Sequence, residues 1–382
     1  MKNYTEKDLE KIYKNRCAVL ANYLKENNSG ACVFIDSEEH REPAIRYYTG
    51  HTSDAILIVF NDSYTILIPW DENLAKKLSY VNKIIPYTRY KNNDIEAVKS
   101  VLNIYASHGE NKKIELPPYL TYPHYLKFLD ALSNYDCRCK EDGVHQFVIN
   151  SRMIKDEYEI ECTKEACRVG DLIIDEIEKQ IKEEKIKTEM DVALLIEKML
   201  RENGCERTGF DTLAAGPERS FAIHAFPGYT SSSWPSDGLS ILDFGVVYNG
   251  YTSDTTITVA KGKLTFQQQQ VLDLVQKAYD DCLKLYTKEH SILEAAKKAD
   301  SVFANAKKKM PHTLGHAIGL EIHEQPRVSV KNPPEQKFLP GMIVTLEPGL
   351  YHPEIGGCRL ENDVLITETG NEVLSHSRII IL

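Results

Sequence analysis

Ser240-Ile241-Leu242-Asp243-Phe244-Gly245-Val246-Val247-Tyr248-Asn249-Gly250-Tyr251-Thr252-Ser253-Asp254-Thr255-Thr256-Ile257-Thr258-Val259 is the stretch on which the fold of this chain turns. Two runs rich in β-branched and aromatic residues flank Asn249-Gly250, a dipeptide suited to the positive φ angles of a two-residue hairpin turn. The pattern predicts strands over 240–249 and 251–259. Pairing across that turn sets Asp254 opposite Gly245. Asp243, two residues further from the turn, then lies on the same pleat face. The two carboxylates become diagonal neighbours, and neighbouring carboxylates repel unless a cation sits between them.

Three more phrases extend the set: Gly315-His316-Ala317-Ile318-Gly319, Leu346-Glu347-Pro348-Gly349 and Arg359-Leu360-Glu361-Asn362. His316 is expected in a glycine-flanked turn, where backbone can come close to a site. Glu347 is expected at a strand end that must turn. Glu361 is expected on a further strand over 358–367, with Arg359 on the same face. Four carboxylates and one imidazole can hold two divalent cations a few Å apart and so activate water at neutral pH. Hydrolysis is the first function to expect.

The chain before this region reads as alternating helices and strands. Helical spacing of apolar residues predicts a helix over 6–27, and Ala31–Asp36 reads as a buried strand. The runs 55–60 and 64–69 read as a hairpin, and helices are expected near 94–107 and 121–133, with 113–116 strand-like between them. This predicts an α/β domain over 1–150, with the boundary near Asn150 and a second domain over 151–382. The second domain opens on a helix over 156–182, where Asp156 and Glu159 fit a capping box, followed by a helix from Thr188 to Gly204. Further helices are expected near 265–287 and 291–308.

Composition narrows the function. A net charge of -10 without a basic run argues against a nucleic-acid partner. The longest apolar run, Ala55 to Phe60, is too short to span a bilayer, and the first residues lack the apolar core of a signal peptide. Nine scattered cysteines, an odd number, fit reduced thiols and a cytoplasmic setting. Cys137-Arg138-Cys139 has no second pair nearby, and we read it as two thiols at a strand end.

The site phrases, in this order, resemble the pita-bread metallopeptidase family: methionine aminopeptidase, Xaa-Pro aminopeptidase, Xaa-Pro dipeptidase (prolidase) and the metal-free creatinases. The resemblance covers roughly 155–382 and includes the Arg152-Met153-Ile154-Lys155-Asp156-Glu157 entry to the first helix. A weaker likeness, centred on Arg46-Tyr47-Tyr48-Thr49-Gly50, links residues 1–150 to the creatinase-type domain of the proline-specific branch. It implies a creatinase-like α/β N-terminal domain followed by an α+β pita-bread catalytic domain. It implies two divalent ions, manganese first, with cobalt, zinc or iron as alternatives. Asp243, Asp254 and Glu361 would hold one ion, and Asp254, His316, Glu347 and Glu361 the other. Glu347 would also shuttle a proton, His323 would contact the scissile amide, and His224 and His312 would lie on the substrate side. Arg359 would act near the substrate or its leaving group, with a plain salt bridge to a carboxylate as the alternative.

The implied reaction is cleavage of an Xaa-Pro bond at the N-terminus of a peptide with proline in second position. Dipeptide-only cleavage is the alternative, and an inactive peptide-binding module the further one. The complete ligand set disfavours a creatinase. The resemblance also implies a homodimer. One departure stands out: the family often has Ser-Asp-x-Thr-Arg-Thr, whereas Ile257 takes the arginine's place here. Three positions from Asp254, it should face the opposite side of the strand.

Overall fold

Six strands form one mixed sheet in the first unit of the computed structural model, which describes residues 4–109 and 111–382. Their order is Lys83–Ile84, Thr65–Pro69, Ala55–Phe60, Ala31–Asp36, Lys113–Glu115 and Asp136–Arg138. Ala55–Phe60 is buried along its whole length, as a continuous apolar run at the centre of a covered sheet should be. Helices Glu6–Glu26, Asp94–Ile104 and Tyr122–Ala131 answer the sequence expectation. Two short helices, Pro43–Thr49 and Glu72–Leu78, were not foreseen. The first carries the Arg46-Tyr47-Tyr48 phrase and ends where Gly50 adopts φ +76, a left-handed cap natural to glycine.

The chain divides into two compact units between Ser151 and Arg152. The division falls inside the helix Gln146–Met153, which takes up the apolar stretch Phe147-Val148-Ile149.

In the second unit, Asp156 and Thr188 each cap a helix through the reciprocal bonds expected of them, with Glu159 and Asp191 as partners. These helices, Glu157–Lys182 and Glu189–Glu202, bury Ile173, Ile177, Val192 and Ile196 against Leu242, Phe244, Ile257 and Val259. A second pair, Phe266–Leu283 and Ile292–Asn305, packs Val275 and Phe303 into a cluster with Val344, Leu346, Cys358 and Val364. Two main sheets carry the site. One runs Ile379–Ile381, Thr255–Lys261, Gly238–Phe244 and Leu213–Ala215. The other runs Glu324–Val328, Gly315–Ala317, Ile343–Leu346, Asn362–Thr367 and Gly370–Val373.

Three expectations need correction. The 240–249 strand is interrupted at Gly245, and the hairpin around Asn249-Gly250 belongs to a separate small sheet. The chains approach so closely there that a Cβ on Gly245 would lie 2.0 Å from the Ser253 carbonyl oxygen. The pairing register nevertheless continues across the break, Val247 with Thr252 and Asp243 with Thr256. His316 lies in a strand, not a turn: Gly315 is needed because a Cβ would meet the Thr345 carbonyl oxygen at 2.0 Å. The expected strand over 358–367 is split between Gly356–Arg359 and Asn362–Thr367, with Glu361 bridging to Thr256 between them.

A buried ion network anchors the entry to this unit. Glu324 receives both Arg152 and Lys155, the latter at 3.0 Å, and all three side chains are almost fully enclosed. Burial alone would raise the Glu324 pKa. The two cations outweigh it and bring the value down from 4.5 to about 2. A folded-state pKa below the unfolded one means that the carboxylate stabilises the fold fully above about pH 4.5. That contribution, on the order of 3 kcal/mol, is lost as the pH falls toward 2. Glu324→Gln leaves the buried Lys155 without an anionic partner and Arg152 with only the exposed Glu321, 2.9 Å away, and should cost roughly 3–5 kcal/mol. Urea unfolding of parent and variant from pH 7 to 3 checks this: the gap should narrow with acid, and a gap independent of pH contradicts the assignment.

Candidate metal centre

The interrupted hairpin brings Asp254 to the second main sheet. Single donor atoms of Asp254, His316 and Glu361 lie within 4.8 Å of one another, and all three residues are buried. His316 Nε2 stands 3.5 Å from Asp254 Oδ2 and 3.6 Å from Glu347 Oε1. Its Nδ1 donates to the Ala317 carbonyl at 3.2 Å, which leaves the Nε2 lone pair facing carboxylate oxygens. Burial, and then the neighbouring His323, lower the His316 pKa to about 3, so no proton on Nε2 relieves that contact near neutral pH. A lone pair set among carboxylates is the arrangement a divalent cation resolves.

The carboxyl groups show the same tension. Burial first, and then the other acids, push the pKa values of Asp254 and Glu361 well above the usual range. Burial also raises Glu347 to about 8, against the lowering pull of Arg359. Asp243 shares the cavity but stands outside the tight trio. Its Oδ2 pairs with Arg359 Nη2 at 2.5 Å, while its buried Oδ1 has no hydrogen-bond partner. An oxygen-rich set with one imidazole and an orphaned carboxylate oxygen fits a hard or borderline divalent ion.

All nine expected site residues line one cavity of about 510 Å³: Asp243, Asp254, His316, Glu347 and Glu361, with His224, His312, His323 and Arg359. His323 stacks edge-on to His316, ring centroids 4.4 Å apart. His312 Nδ1 donates to the Thr313 carbonyl at 2.8 Å, so Nε2 accepts from the Tyr351 hydroxyl at 3.0 Å. Arg359 is buried and fully engaged, by Asp243, by Thr256 Oγ1 at 2.9 Å and by the Tyr351 hydroxyl at 2.8 Å. This is the salt-bridge alternative of the sequence reading.

Sequence reasoning missed Tyr351, which links His312 to Arg359, and Thr256, whose hydroxyl donates to Glu361 Oε2 at 2.6 Å. It also missed Arg327, which lines the cavity and pairs in register with His316. Among the described residues no side-chain hydrogen bond or ion pair engages the Arg327 guanidinium. Only Thr256 had a readable signal, its even offset from Asp254. Ile257 faces away, fully buried among Trp234, Leu242 and Phe244, so its replacement of an arginine leaves the cavity wall unchanged.

A carboxylate-rich pocket on an α+β frame of this kind defines a pita-bread metallopeptidase. The chain belongs to metallopeptidase family M24, whose model matches residues 161–368. Membership implies divalent metal ions, and the Asp254-His316-Glu361 cluster offers them a place. A Xaa-Pro dipeptidase of Pyrococcus furiosus is 29% identical over 95% of this chain and 98% of its own length. A Xaa-Pro dipeptidase of Pyrococcus horikoshii is 30% identical over 88% of this chain and 91% of its own. The crystal structure of X-Pro aminopeptidase from Thermotoga maritima superposes with a TM-score of 0.80 at 26% identity, covering 92% of this chain and 97% of that one.

Carboxyl pKa values raised in the folded state carry a definite sign. Stability of the chelated protein falls as the pH climbs from the ordinary carboxylate range toward the Glu347 value of about 8. Thermal melts in chelator should show a lower midpoint at pH 8 than at pH 6. Manganese should raise the midpoint, and more so at pH 8. Asp254→Asn removes one repelling charge. It should raise the chelated midpoint by roughly 2–6 °C and abolish the manganese shift. A variant that keeps the full manganese shift contradicts the assignment.

Proposed function

We propose that this chain hydrolyses the Xaa-Pro bond of dipeptides, using two divalent ions held by Asp243, Asp254, His316, Glu347 and Glu361. The observation that carries the dipeptide reading is Arg327, a guanidinium that lines the same cavity as the acidic cluster and has no protein partner among the described residues. A dipeptide brings a free carboxylate close to the scissile bond, and a guanidinium fork matches a carboxylate. In a longer peptide that carboxylate is an amide. The two Pyrococcus relatives, Xaa-Pro dipeptidases along nearly their whole length, support the same order. Sequence reasoning had put removal of the first residue from longer peptides ahead. The Thermotoga aminopeptidase likeness keeps that reaction as the second reading.

When bound, the ions supply Lewis-acid activation of water and of the substrate carbonyl, with manganese the first choice for this donor set. The chain's own groups do the rest. Glu347, whose carboxylate the bound ions would keep deprotonated, takes the proton of the attacking water and returns it to the departing proline nitrogen. A tertiary amide needs that return, because its nitrogen otherwise leaves as an anion. His323, beside His316, donates toward the tetrahedral oxygen, and His224 contacts the substrate at the cavity wall. His312 is kept neutral, its pKa lowered to about 4 by burial and by Arg359, and it orients Tyr351. Arg359 fixes Asp243 at the cavity wall, in the salt-bridge role.

The same proposal assigns 1–150 as a creatinase-like domain and 151–382 as the catalytic domain, in a homodimer. All nine cysteines are free thiols, which supports a reducing, cytoplasmic setting. No helix among the described residues is long and apolar enough to cross a membrane.

Two substitutions test the reaction. Glu347→Gln should abolish turnover of an Xaa-Pro dipeptide, and full retained activity contradicts its role. Arg327→Met should raise KM for the dipeptide about 10- to 100-fold, the loss of one charge-assisted bond, while leaving KM for an Xaa-Pro tripeptide amide within about twofold. Equal losses on both substrates, or efficient parent cleavage of the longer peptide, favour the aminopeptidase reading.

A further inference from the structure

Asp363 is buried with no exposed surface and lies outside the cavity described above. Its backbone belongs to the second main sheet, where it pairs with Thr345, and its N–H donates to Ser375 Oγ at 2.8 Å. Its side chain reaches the other sheet. Oδ2 accepts the backbone N–H of Asp254 at 2.9 Å and the Cys167 thiol at 3.3 Å.

The position of this bond explains its need. Glu361 bridges Thr256 in antiparallel sense, its N–H donating to the Thr256 carbonyl at 3.2 Å. Continued by two residues, that pairing would set residue 363 beside residue 254. The following strand, Asn362–Thr367, has turned away to pair with Ile343–Leu346. Asp254 lies where the hairpin is interrupted, between Tyr251–Thr252 and Thr255–Lys261. Its N–H therefore faces a seam between two sheets, with no backbone carbonyl to receive it. A carboxylate from the departing strand closes the gap. A buried N–H without a partner costs about 1–3 kcal/mol and leaves the local backbone free to rotate.

We infer that Asp363 is a positioning residue: by accepting the Asp254 N–H across the seam, it aims the Asp254 carboxylate at His316 and Glu361. The inference rests on the reading of Asp254 as a metal ligand. Partners one step removed from a metal commonly change its affinity by 10- to 100-fold when lost.

The test titrates manganese alone into chelated, dialysed protein by calorimetry, at a temperature where circular dichroism shows every variant folded. Asp363→Asn keeps an acceptor and should bind within about threefold of the parent. Asp363→Leu keeps the approximate volume without an acceptor and should bind at least about tenfold more weakly. Asp254→Asn serves as the control. Loss of binding in that control with parent affinity in Asp363→Leu overturns the positioning role alone. A parent that binds no manganese overturns the metal reading and this inference with it. Equal losses in Asp363→Asn and Asp363→Leu also overturn it, since charge rather than the bond would then matter. Should Asp363→Leu not fold, amide exchange in the native chain decides: the Asp254 N–H should exchange slowly, and a fast-exchanging amide contradicts the bond.

Discussion

Mutual repulsion among buried acids is the constraint around which the catalytic unit is organised. Asp254, Glu361 and Glu347 share one cavity with the Nε2 lone pair of His316, and burial strengthens every term between them. Left alone, such a group would relax toward water or take up protons. The structure denies it the first course. Asp254 sits at a hairpin break fixed by the close approach of Gly245 to Ser253, and Glu361 is tied to Thr256 by backbone and hydroxyl. His316 is held on a strand that only a glycine neighbour lets come so near Thr345. Apolar packing on both pairs of helices supplies the stability that lets the sheets hold these groups together.

Arg359 shows how the same constraint shapes the surroundings. Its single positive charge is spread over Asp243, Thr256 and Tyr351, with Glu361 Oε2 at 3.9 Å. It neutralises part of the acidic set without occupying the centre. Arg327 differs in having no such ties. A guanidinium already engaged by protein carboxylates is a structural cation, and one facing a cavity without a partner is available to a ligand. The proposed preference for a short substrate follows from that difference.

How much was readable in advance depended on how local each determinant was. Asn249-Gly250 fixes a register by itself, so the shared pleat face of Asp243 and Asp254 and the outward turn of Ile257 followed from counting. Capping boxes at Asp156 and Thr188 are equally local, and both helices begin where expected. The break at Gly245 was not legible, because the Ser253 carbonyl that forbids a side chain there is set by the folded hairpin. Gly315 was taken as a turn signal when its role is close approach between strands. Tyr351, Arg327 and Asp363 escaped notice for one shared reason. Each takes its role only from the folded arrangement, Tyr351 through its bonds to His312 and Arg359, Arg327 from its place opposite His316 and Asp363 from the distant Asp254 N–H, and no single phrase of the chain encodes these contacts.

The proposed function requires one cage of distant side chains to close around common ions. Anomalous diffraction at the manganese edge, from crystals grown with manganese, tests it directly. The prediction is two peaks in the cavity, both within bonding distance of Asp254 and Glu361, with His316 and Glu347 on one of them. Peaks confined to surface carboxylates, with this cavity empty under saturating manganese, would contradict it.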